Sequence, residues 1–354
     1  MSKTGILTFH RTSNFGSCLQ AYALYKKAVD LGFDCELIDY RCPAIEKREA
    51  IGKQYPFTPK GILLSLLYQP VIDRKAVRLT NFLKDHAKLG QAYTPESIHE
   101  ANDAYDKFMV GSDIVWGLDI TEDDYTYFLD FVRDPGKRYA FSSSVGHHET
   151  SGDTQRVGDA LSRFDRIAVR EEAAVTWVNA LCGKEASWVC DPTMLLSADE
   201  WDQLVHPKTI KEKYVLVYFQ DDKGKCLADA KRYAKAHGLK VYFINYALVP
   251  QKGTHSCKPT SLDQFLGLIK NAQMVFTASY HGMLYSLYYH KEFVFYTRAH
   301  SDRVLSLANR LGVEDRCADQ KDINTYESIN YGPVEEKLQQ FRQESVAVLT
   351  EMLK

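Results

Sequence analysis

The sequence predicts an α/β fold made of two domains that face a cleft. Short β-branched and aromatic runs alternate with helical stretches, which is typical of strands feeding a parallel sheet. Two separate series of such runs occur, and the length of 354 residues exceeds what one hydrophobic core usually organises. Since open parallel sheets bind ligands at the carboxyl ends of their strands, we expect the functional residues in strand-to-helix turns beside the cleft.

The first domain is predicted to cover residues 1–195. Its strands are predicted at Gly5–His10, Cys35–Tyr40, Lys107–Gly111, Lys137–Ser143, Asp165–Arg170 and Ala186–Asp191. A helix from about Cys18 to Leu31 follows the first strand and stops at Gly32. Residues 41–104 are mostly helical and charged in pattern and contain several prolines, so we expect an insertion packed around the sheet.

The second domain is predicted to cover residues 196–330. Its strands are predicted at Tyr214–Phe219, Leu239–Tyr246, Met274–Ser279 and Glu292–Thr297. Residues 331–354 are predicted to form a helix that packs back on the first domain.

Charge and apolar patterning exclude several classes of protein. Forty-four Lys and Arg against forty-six Asp and Glu give a net charge of −2, so no nucleic-acid partner is expected.

The apolar run Gly61–Ile72 has no charge but is too short for a membrane span, which needs about 20 residues. It predicts either a buried insertion helix or peripheral contact with a membrane. Because the first residues lack the pattern of a secretory leader, a cytoplasmic location is expected.

Familiar cofactor and metal motifs are missing from the sequence. The eight cysteines contain no C-x-x-C pair, which favours reduced, mostly buried thiols over zinc or redox chemistry. The sequence also lacks G-x-G-x-x-G, the P-loop pattern, H-E-x-x-H and the G-x-S-x-G nucleophile elbow. We therefore expect neither a metal nor a cofactor.

The turn after the first strand is a candidate anion site. Asn14, Gly16 and Ser17 would present backbone N–H groups and a cap at the positive end of a helix, an arrangement that suits phosphate or carboxylate. The alternative is a capped turn with no ligand. Cys18 is expected to pack in the core rather than to act as a nucleophile.

Two further turns of the first domain carry polar side chains. In VGSDIVWG, Ser112 would bind an oxyanion, Asp113 would orient a sugar hydroxyl, and Trp116 would stack on a sugar or pack in the core. A plain helix cap with a core tryptophan is the alternative. Arg170 ends a later strand, where its guanidinium would grip a carboxylate or phosphate with two parallel hydrogen bonds. Here the alternative is an internal ion pair with Glu171 or another acid.

The most distinctive turn of the second domain is TASYHG, in which a strand ends at Ser279 and His281 opens a helix. Histidine has a reference pKa of about 6.5, which suits proton transfer near neutral pH, although a structural histidine is the alternative. Arg298, His300 and Arg303 follow the next strand and form a second candidate cluster for an anion.

Taken in order, several of these strings resemble the polysaccharide pyruvyl transferase family. They are FHRTSNFGSCLQAYAL with IDYR, VGSDIVWG with YFLDF, FDRIAVRE, CDPTMLL and TASYHG. The resemblance implies two Rossmann-like domains in the GT-B glycosyltransferase arrangement. It also implies transfer of pyruvate from phosphoenolpyruvate, as donor substrate, onto a sugar as a ketal.

The resemblance implies roles for individual residues. His281 matches the histidine of the family's S-x-H-G motif and is the implied acid/base, and Arg170 matches the arginine of V-R-E and is an implied donor-anion ligand. A further basic residue expected after the histidine corresponds to Arg298 or Arg303. Ser279 stands where some relatives carry arginine, and the family often has Gln and Asn at the positions of Ile114 and Gly117.

The function implied is pyruvyl transfer to a nucleotide- or lipid-linked sugar of a cell-surface polysaccharide precursor. The alternatives are a nucleotide-sugar-dependent glycosyltransferase, since a fold does not fix a function, and a noncatalytic protein that binds glycans or nucleotides.

Overall fold

The chain divides into two compact α/β units. The computed structural model describes residues 2–49, 58–146, 153–205, 210–219, 221–222, 224–247, 249–298 and 302–354. The first unit comprises Met1–Ala50, Leu79–Leu196 and Leu338–Lys354, and the second comprises Ile51–Arg78 and Ser197–Lys337. Part of the expected insertion at 41–104 therefore groups with the second unit, and the end of the chain groups with the first.

Twelve strands lie in the described part of the chain. They are β1 (Lys3–Leu7), β2 (Asp34–Tyr40), β3 (Leu89–Tyr93), β4 (Lys107–Val110), β5 (Arg138–Ser143), β6 (Arg166–Val169), β7 (Ala186–Trp188), β8 (Tyr214–Tyr218), β9 (Lys240–Ile244), β10 (His255–Cys257), β11 (Met274–Thr277) and β12 (Glu292–Phe295). Ten of them coincide with predicted strands; the two that do not, β3 and β10, are sheet-edge strands.

The helices of the described residues cover the sheets and connect their strands. They are α1 (Phe15–Asp30), α2 (Pro43–Glu49), α3 (Pro59–His86), α4 (Leu118–Thr121), α5 (Thr154–Ser162), α6 (Glu172–Cys182), α7 (Ala198–Asp202), α8 (Lys225–Ala236), α9 (Leu262–Lys270), α10 (Tyr280–Tyr288), α11 (Asp302–Leu311) and α12 (Tyr331–Leu353). Short 3₁₀ turns lie between several of them. Helix α1 starts three residues before the predicted Cys18, because Asn14 caps it.

Both sheets are parallel and reverse their strand order once. The first unit holds the order β3-β2-β1-β4-β5-β6-β7, and the second holds β10-β9-β8-β11-β12. All strand pairs in both sheets run parallel. The order reverses between β1 and β4 in the first sheet and between β8 and β11 in the second. At such a switch point the chain leaves neighbouring strands in opposite directions, which opens a crevice at their carboxyl ends.

Each unit has its own apolar core. In the first, Trp116 is fully buried, stacks on Phe128 and meets Phe164 edge-on. In the second, Val217 and Phe276 are among the buried residues of the sheet that pack with residues of α8. Within the described ranges, no helix has both the length and the apolar character needed to cross a membrane.

Helix α12 contributes its later turns to the first unit. Phe341 meets the Trp188 ring edge-on at 5.3 Å between centroids. Ser345 accepts a hydrogen bond of 2.9 Å from the Cys190 amide, and the Arg342 side chain donates to the Met194 carbonyl at 2.6 Å. These contacts fix α12 to the segment that follows β7.

Candidate functional site

The switch point of the first sheet brings together side chains from α1 and the loop after β4. The Ser17 hydroxyl donates to the Asp113 carboxylate. Asp113 has a φ of +78°, and its second oxygen accepts from the Ile114 amide at 2.8 Å. Beside it, the Thr8 hydroxyl donates to the Ser112 carbonyl at 2.7 Å. Ser17 therefore shares one edge of the sheet with Ser112 and Asp113, although 96 residues separate it from Asp113 in the sequence.

The start of α1 is capped by groups of the protein itself. The Asn14 side chain accepts from the Gly16 amide at 2.9 Å. One residue earlier, the Ser13 amide donates to the Glu49 carboxylate at 2.8 Å. The geometry is that of the capped turn, one of the two interpretations of this segment. Anion binding by Asn14, Gly16 and Ser17 stays a prediction.

Arg170 lies in a buried charged cluster at the ends of β4, β6 and β7. Its side chain is only 1% exposed, and it donates to Asp191 at 2.9 Å and to the Ser112 hydroxyl at 3.2 Å. A second carboxylate, Glu171, lies 3.6 Å from its Nε and accepts a hydrogen bond from Ser144. This is the internal ion pair that the sequence left open as the alternative to a ligand site.

The charge balance of this cluster limits what it can bind. Two carboxylates, Asp191 and Glu171, face one guanidinium, so the cluster does not present excess positive charge to an anion. Removing one partner of a buried ion pair leaves the other charge uncompensated, which typically costs about 3–5 kcal/mol. The structure thus gives Arg170 an architectural role, and its role as a donor-anion ligand stays a prediction.

A second ionic cluster at this edge was missed by the sequence analysis. Asp39, in β2, accepts from the His10 ring at 3.0 Å and from two nitrogens of Arg11, at 2.5 and 2.7 Å. The other His10 nitrogen bonds to the Thr8 carbonyl. Burial raises the pKa of the Asp39 carboxyl, but the bonds from His10 and Arg11 outweigh it and hold the pKa well below its usual range. The sequence did contain a clue to this cluster. The first predicted strand ends at His10, directly before Arg11, and the second ends at Tyr40, directly after Asp39.

Two side chains of the first unit prove to be structural. The Trp116 indole is buried and donates to the Tyr127 carbonyl at 3.1 Å, so it packs in the core and offers no face to a sugar. Cys18 is buried, and burial raises the pKa of its thiol. The prediction that Cys18 packs rather than reacts is confirmed.

The switch point of the second sheet positions His281. Ser279 is the N-cap of α10 and accepts from the Gly282 amide at 3.3 Å. His281 is therefore in the first turn of the helix that follows β11, and it is partly exposed. A Cβ on Gly282 would lie 2.3 Å from the Thr277 hydroxyl oxygen, which shows how closely this turn packs on β11.

Tyr218 and Tyr246 complete this edge and were not singled out from the sequence. The Tyr218 phenol hydrogen-bonds to the Ser279 side chain, and burial raises its pKa, so the phenol stays protonated. Tyr246 follows β9 and donates to the Pro259 carbonyl, and burial raises its pKa as well. The Ser279 region is thus lined by aromatic rings with polar ends.

Two basic residues of α3 lie at this same edge. The Lys75 ammonium lies 4.7 Å from the centre of the Tyr246 ring, although the lysine is almost fully buried. One turn later, Arg78 donates to the Thr260 hydroxyl at 2.9 Å. Their position depends on a long-range contact between a helix and two loops, which no local sequence pattern reveals.

The predicted second cationic cluster is only partly described. Arg298 follows β12, is exposed, and lies 3.5 Å from the Asp222 carboxylate. Arg303 lies in α11, and His300 lies outside the described residues. Among the described residues, the structure places Ser279, His281 and Arg298 after the neighbouring strands β11 and β12.

The tyrosines of α10 form core rather than a binding platform. Tyr285 and Tyr288 are buried, and Tyr285 meets Trp201 edge-on at 5.4 Å between centroids.

In the described part of the chain, no group of three or more His, Cys, Asp and Glu side chains is arranged to hold a metal ion.

Comparisons with known proteins bear on both fold and family. No curated protein matches the sequence. A putative UDP-N-acetylglucosamine 2-epimerase from Listeria monocytogenes is 9% identical with a TM-score of 0.52, the match covering 99% of this chain and 90% of that chain. An alpha-glucosyltransferase in complex with UDP is 6% identical with a TM-score of 0.51, covering 100% and 95%. The S. aureus MnaA–UDP structure is 10% identical with a TM-score of 0.50, covering 99% and 91%.

At such low identity these likenesses show the fold alone. They confirm the predicted α/β class with Rossmann-like parallel sheets of the GT-B type. The sequence model of polysaccharide pyruvyl transferases matches residues 14–300, which is most of the chain and includes the TASYHG turn. The chain therefore belongs to the polysaccharide pyruvyl transferase family.

Proposed function

We propose that this protein transfers pyruvate from phosphoenolpyruvate onto two hydroxyls of a sugar, forming a ketal and releasing phosphate. The observation that carries the proposal is the position of His281. It is a partly exposed histidine in the first turn of α10, at the switch point of the second sheet. The family match supplies the reaction class.

The proposed chemistry needs one proton donor and a site for a doubly anionic donor. The His281 imidazolium gives a proton to C3 of the enol, which makes C2 electrophilic. A sugar hydroxyl adds to C2 and returns its proton to the imidazole. The bond between C2 and the phosphate oxygen then breaks, a second hydroxyl adds to C2, and its proton leaves with the phosphate. A positioned acid/base contributes about 10²- to 10⁴-fold to such a rate.

The second unit carries groups suited to the donor anion. Carboxylate and phosphate are recognised by guanidinium groups and by helix N-termini. Arg298, Ser279 and the start of α10 are the proposed ligands after β11 and β12. Arg303 is the second candidate for the basic residue that follows the histidine. Lys75 and Arg78 add positive charge at the ends of β9 and β10.

Residues of the first unit are proposed to orient hydroxyls and, by resemblance, the donor. The Asp113 carboxylate already accepts from one hydroxyl, that of Ser17, and would accept from a sugar in the same way. Ser112, Asn14 and Gly16 stay candidate ligands beside it. Because carboxylates hold the Arg170 guanidinium, donor binding by Arg170 would require it to exchange partners.

The proposed acceptor is a nucleotide- or lipid-linked sugar of a cell-surface polysaccharide precursor, and no cofactor is required. A cytoplasmic location belongs to the proposal, since the eight cysteines are all unpaired thiols, most of them buried, which fits a reducing compartment.

The proposal is tested by incubating the protein with phosphoenolpyruvate and a panel of UDP-sugars and lipid-linked sugars. Phosphate release that depends on an acceptor, together with a pyruvate ketal detected by NMR, is the expected result. His281→Ala should lose at least about 100-fold in kcat because the proton donor is gone, and added imidazole should restore part of the rate.

The matched control is His99→Ala, which removes an exposed histidine of the first unit and should leave kcat within about twofold. Circular dichroism checks that both variants are folded. Near wild-type turnover in His281→Ala would remove His281 from the mechanism. Release of UDP without consumption of phosphoenolpyruvate would instead indicate a glycosyltransferase, and binding without any turnover a noncatalytic protein.

A further inference from the structure

Helix α3 exposes a ridge of large apolar side chains. Ile62, Leu63, Leu66 and Leu67 are 44%, 58%, 67% and 54% exposed. Their spacing of one and four residues places them on one side of an α-helix. The interpretation of this run as a buried insertion helix is therefore wrong for these four residues, which we call the α3 ridge.

Two described residues on the opposite side of the helix are buried. Gly61 is buried, and fourteen residues later Lys75 is almost fully buried against the Tyr246 ring. Fourteen residues are close to four helical turns, so both lie on the same side, away from the ridge. The α3 ridge thus lies opposite Gly61 and Lys75, two described positions at which this helix is buried.

Positive charge continues the ridge along the same helix. Arg74 and Arg78 follow Leu63 and Leu67 by eleven residues, or three turns, and both are exposed. The sequence of α3 itself, Pro59–His86, holds five Lys and Arg against two Asp and Glu, a net charge of +3, whereas the remainder of the chain carries −5. The helix that exposes this apolar ridge is therefore basic, in a chain that is acidic elsewhere.

We propose that the α3 ridge docks on an anionic membrane surface, with Arg74 beside the lipid headgroups. An interfacial helix combines exposed apolar side chains with basic residues and lies in the plane of the headgroups rather than crossing the bilayer. Residues 62–67 are too few to span, and no described helix is able to do so. The charge complementarity between α3, with its net charge of +3, and anionic lipid selects a membrane as the occupant.

The test measures co-sedimentation of the purified full-length protein with phosphatidylglycerol/phosphatidylcholine vesicles and with pure phosphatidylcholine vesicles. The protein should bind the anionic vesicles more tightly, and added salt should weaken the binding. Leu66→Glu/Leu67→Glu should bind at least about tenfold more weakly, because two apolar side chains no longer enter the interface. These vesicles hold neither donor nor acceptor, so the result is independent of the proposed function.

The matched control is Val29→Glu/Val249→Glu, which places two acidic residues at exposed valines outside α3. It should bind within about twofold of the wild type. Equal binding of wild type and Leu66→Glu/Leu67→Glu, or no binding of the wild type to anionic vesicles, overturns the proposal. So does a wild-type dimer in light scattering that the same double variant dissociates, since the ridge would then be a contact between copies of this chain.

Discussion

Asp39 illustrates how single carboxylates shape the edge of the first sheet. It accepts hydrogen bonds from His10 and Arg11, which lie in the loop after β1. These bonds fix the position of the first part of the loop that connects β1 to α1. This loop carries Asn14 and ends at the helix that holds Ser17.

We predict that Asp39→Asn lowers the free energy of unfolding by about 2 kcal/mol at pH 7, because the Arg11 guanidinium loses its counter-charge and the His10 ring loses a charged hydrogen-bond partner. The pKa of the Asp39 carboxyl is held below its usual value, so its stabilisation is complete above about pH 4 and is lost as the pH falls through the folded-state pKa. Urea denaturation from pH 7 to pH 3 should show the gap between wild type and variant shrinking below about pH 4.

The control for this prediction is Asp103→Asn, which removes an exposed carboxylate paired with Arg133 on the surface. It should change stability by less than about 0.5 kcal/mol at every pH. A gap for Asp39→Asn that widens towards low pH would contradict the assignment of a depressed pKa.

Sequence alone located the polar residues of the site better than it located their partners. Ser112, Asp113, Arg170 and His281 were placed at strand ends because a strand end is a local pattern. The burial of Arg170 between two carboxylates depends on the side-by-side placement of β6 and β7, which is a tertiary property. The same reason explains why Tyr218, which bonds to Ser279, was missed.

At the scale of elements, the two strands that escaped prediction have few buried side chains. β3 buries only one of its five residues, β10 buries none of its three, and each lies at the edge of its sheet. An edge strand need not alternate apolar and polar side chains over a long run, so its hydrophobic signal is weak. The central strands β8 and β11, buried on both faces, form continuous apolar runs, and their first residues coincide with the predicted ones. The central strand β1 was predicted less closely, since it runs from Lys3 to Leu7 rather than from Gly5 to His10.

Helix α12 is an element whose contribution to stability is measurable. We predict that Phe341→Ala lowers the free energy of unfolding of the first unit by about 3 kcal/mol, because it leaves a cavity against Trp188. Urea denaturation followed by tryptophan fluorescence reports the change. Gln340→Ala, an exposed neighbour on the same helix, should alter stability by less than about 0.5 kcal/mol. Equal effects of the two variants would show that α12 does not pack as described.

At the scale of the whole molecule, the reactivity of the eight cysteines measures how well their thiols are buried in the two units. Cys18, Cys35, Cys42, Cys190 and Cys226 are buried, and the other three are half-buried. Burial raises the pKa of Cys190 to about 12 and that of Cys257 to about 11, so neither forms thiolate readily.

We predict that a brief exposure of the native protein to N-ethylmaleimide at pH 7 labels at most three thiols, those of Cys182, Cys257 and Cys317. Mass spectrometry of the intact chain counts the adducts, and labelling in urea provides the control in which all eight react. Rapid modification of Cys18 in the folded protein would contradict its place in the core.

The contact of Gly282 with β11 has a consequence for altering substrate choice. Any side chain at position 282 would collide with Thr277 and displace α10, the helix that carries His281. Mutant libraries that seek new acceptors should therefore hold this glycine constant and diversify the loops after the strands instead. With His281 as the proposed acid/base, a natural variant with alanine at this position is expected to keep its fold and lose its turnover.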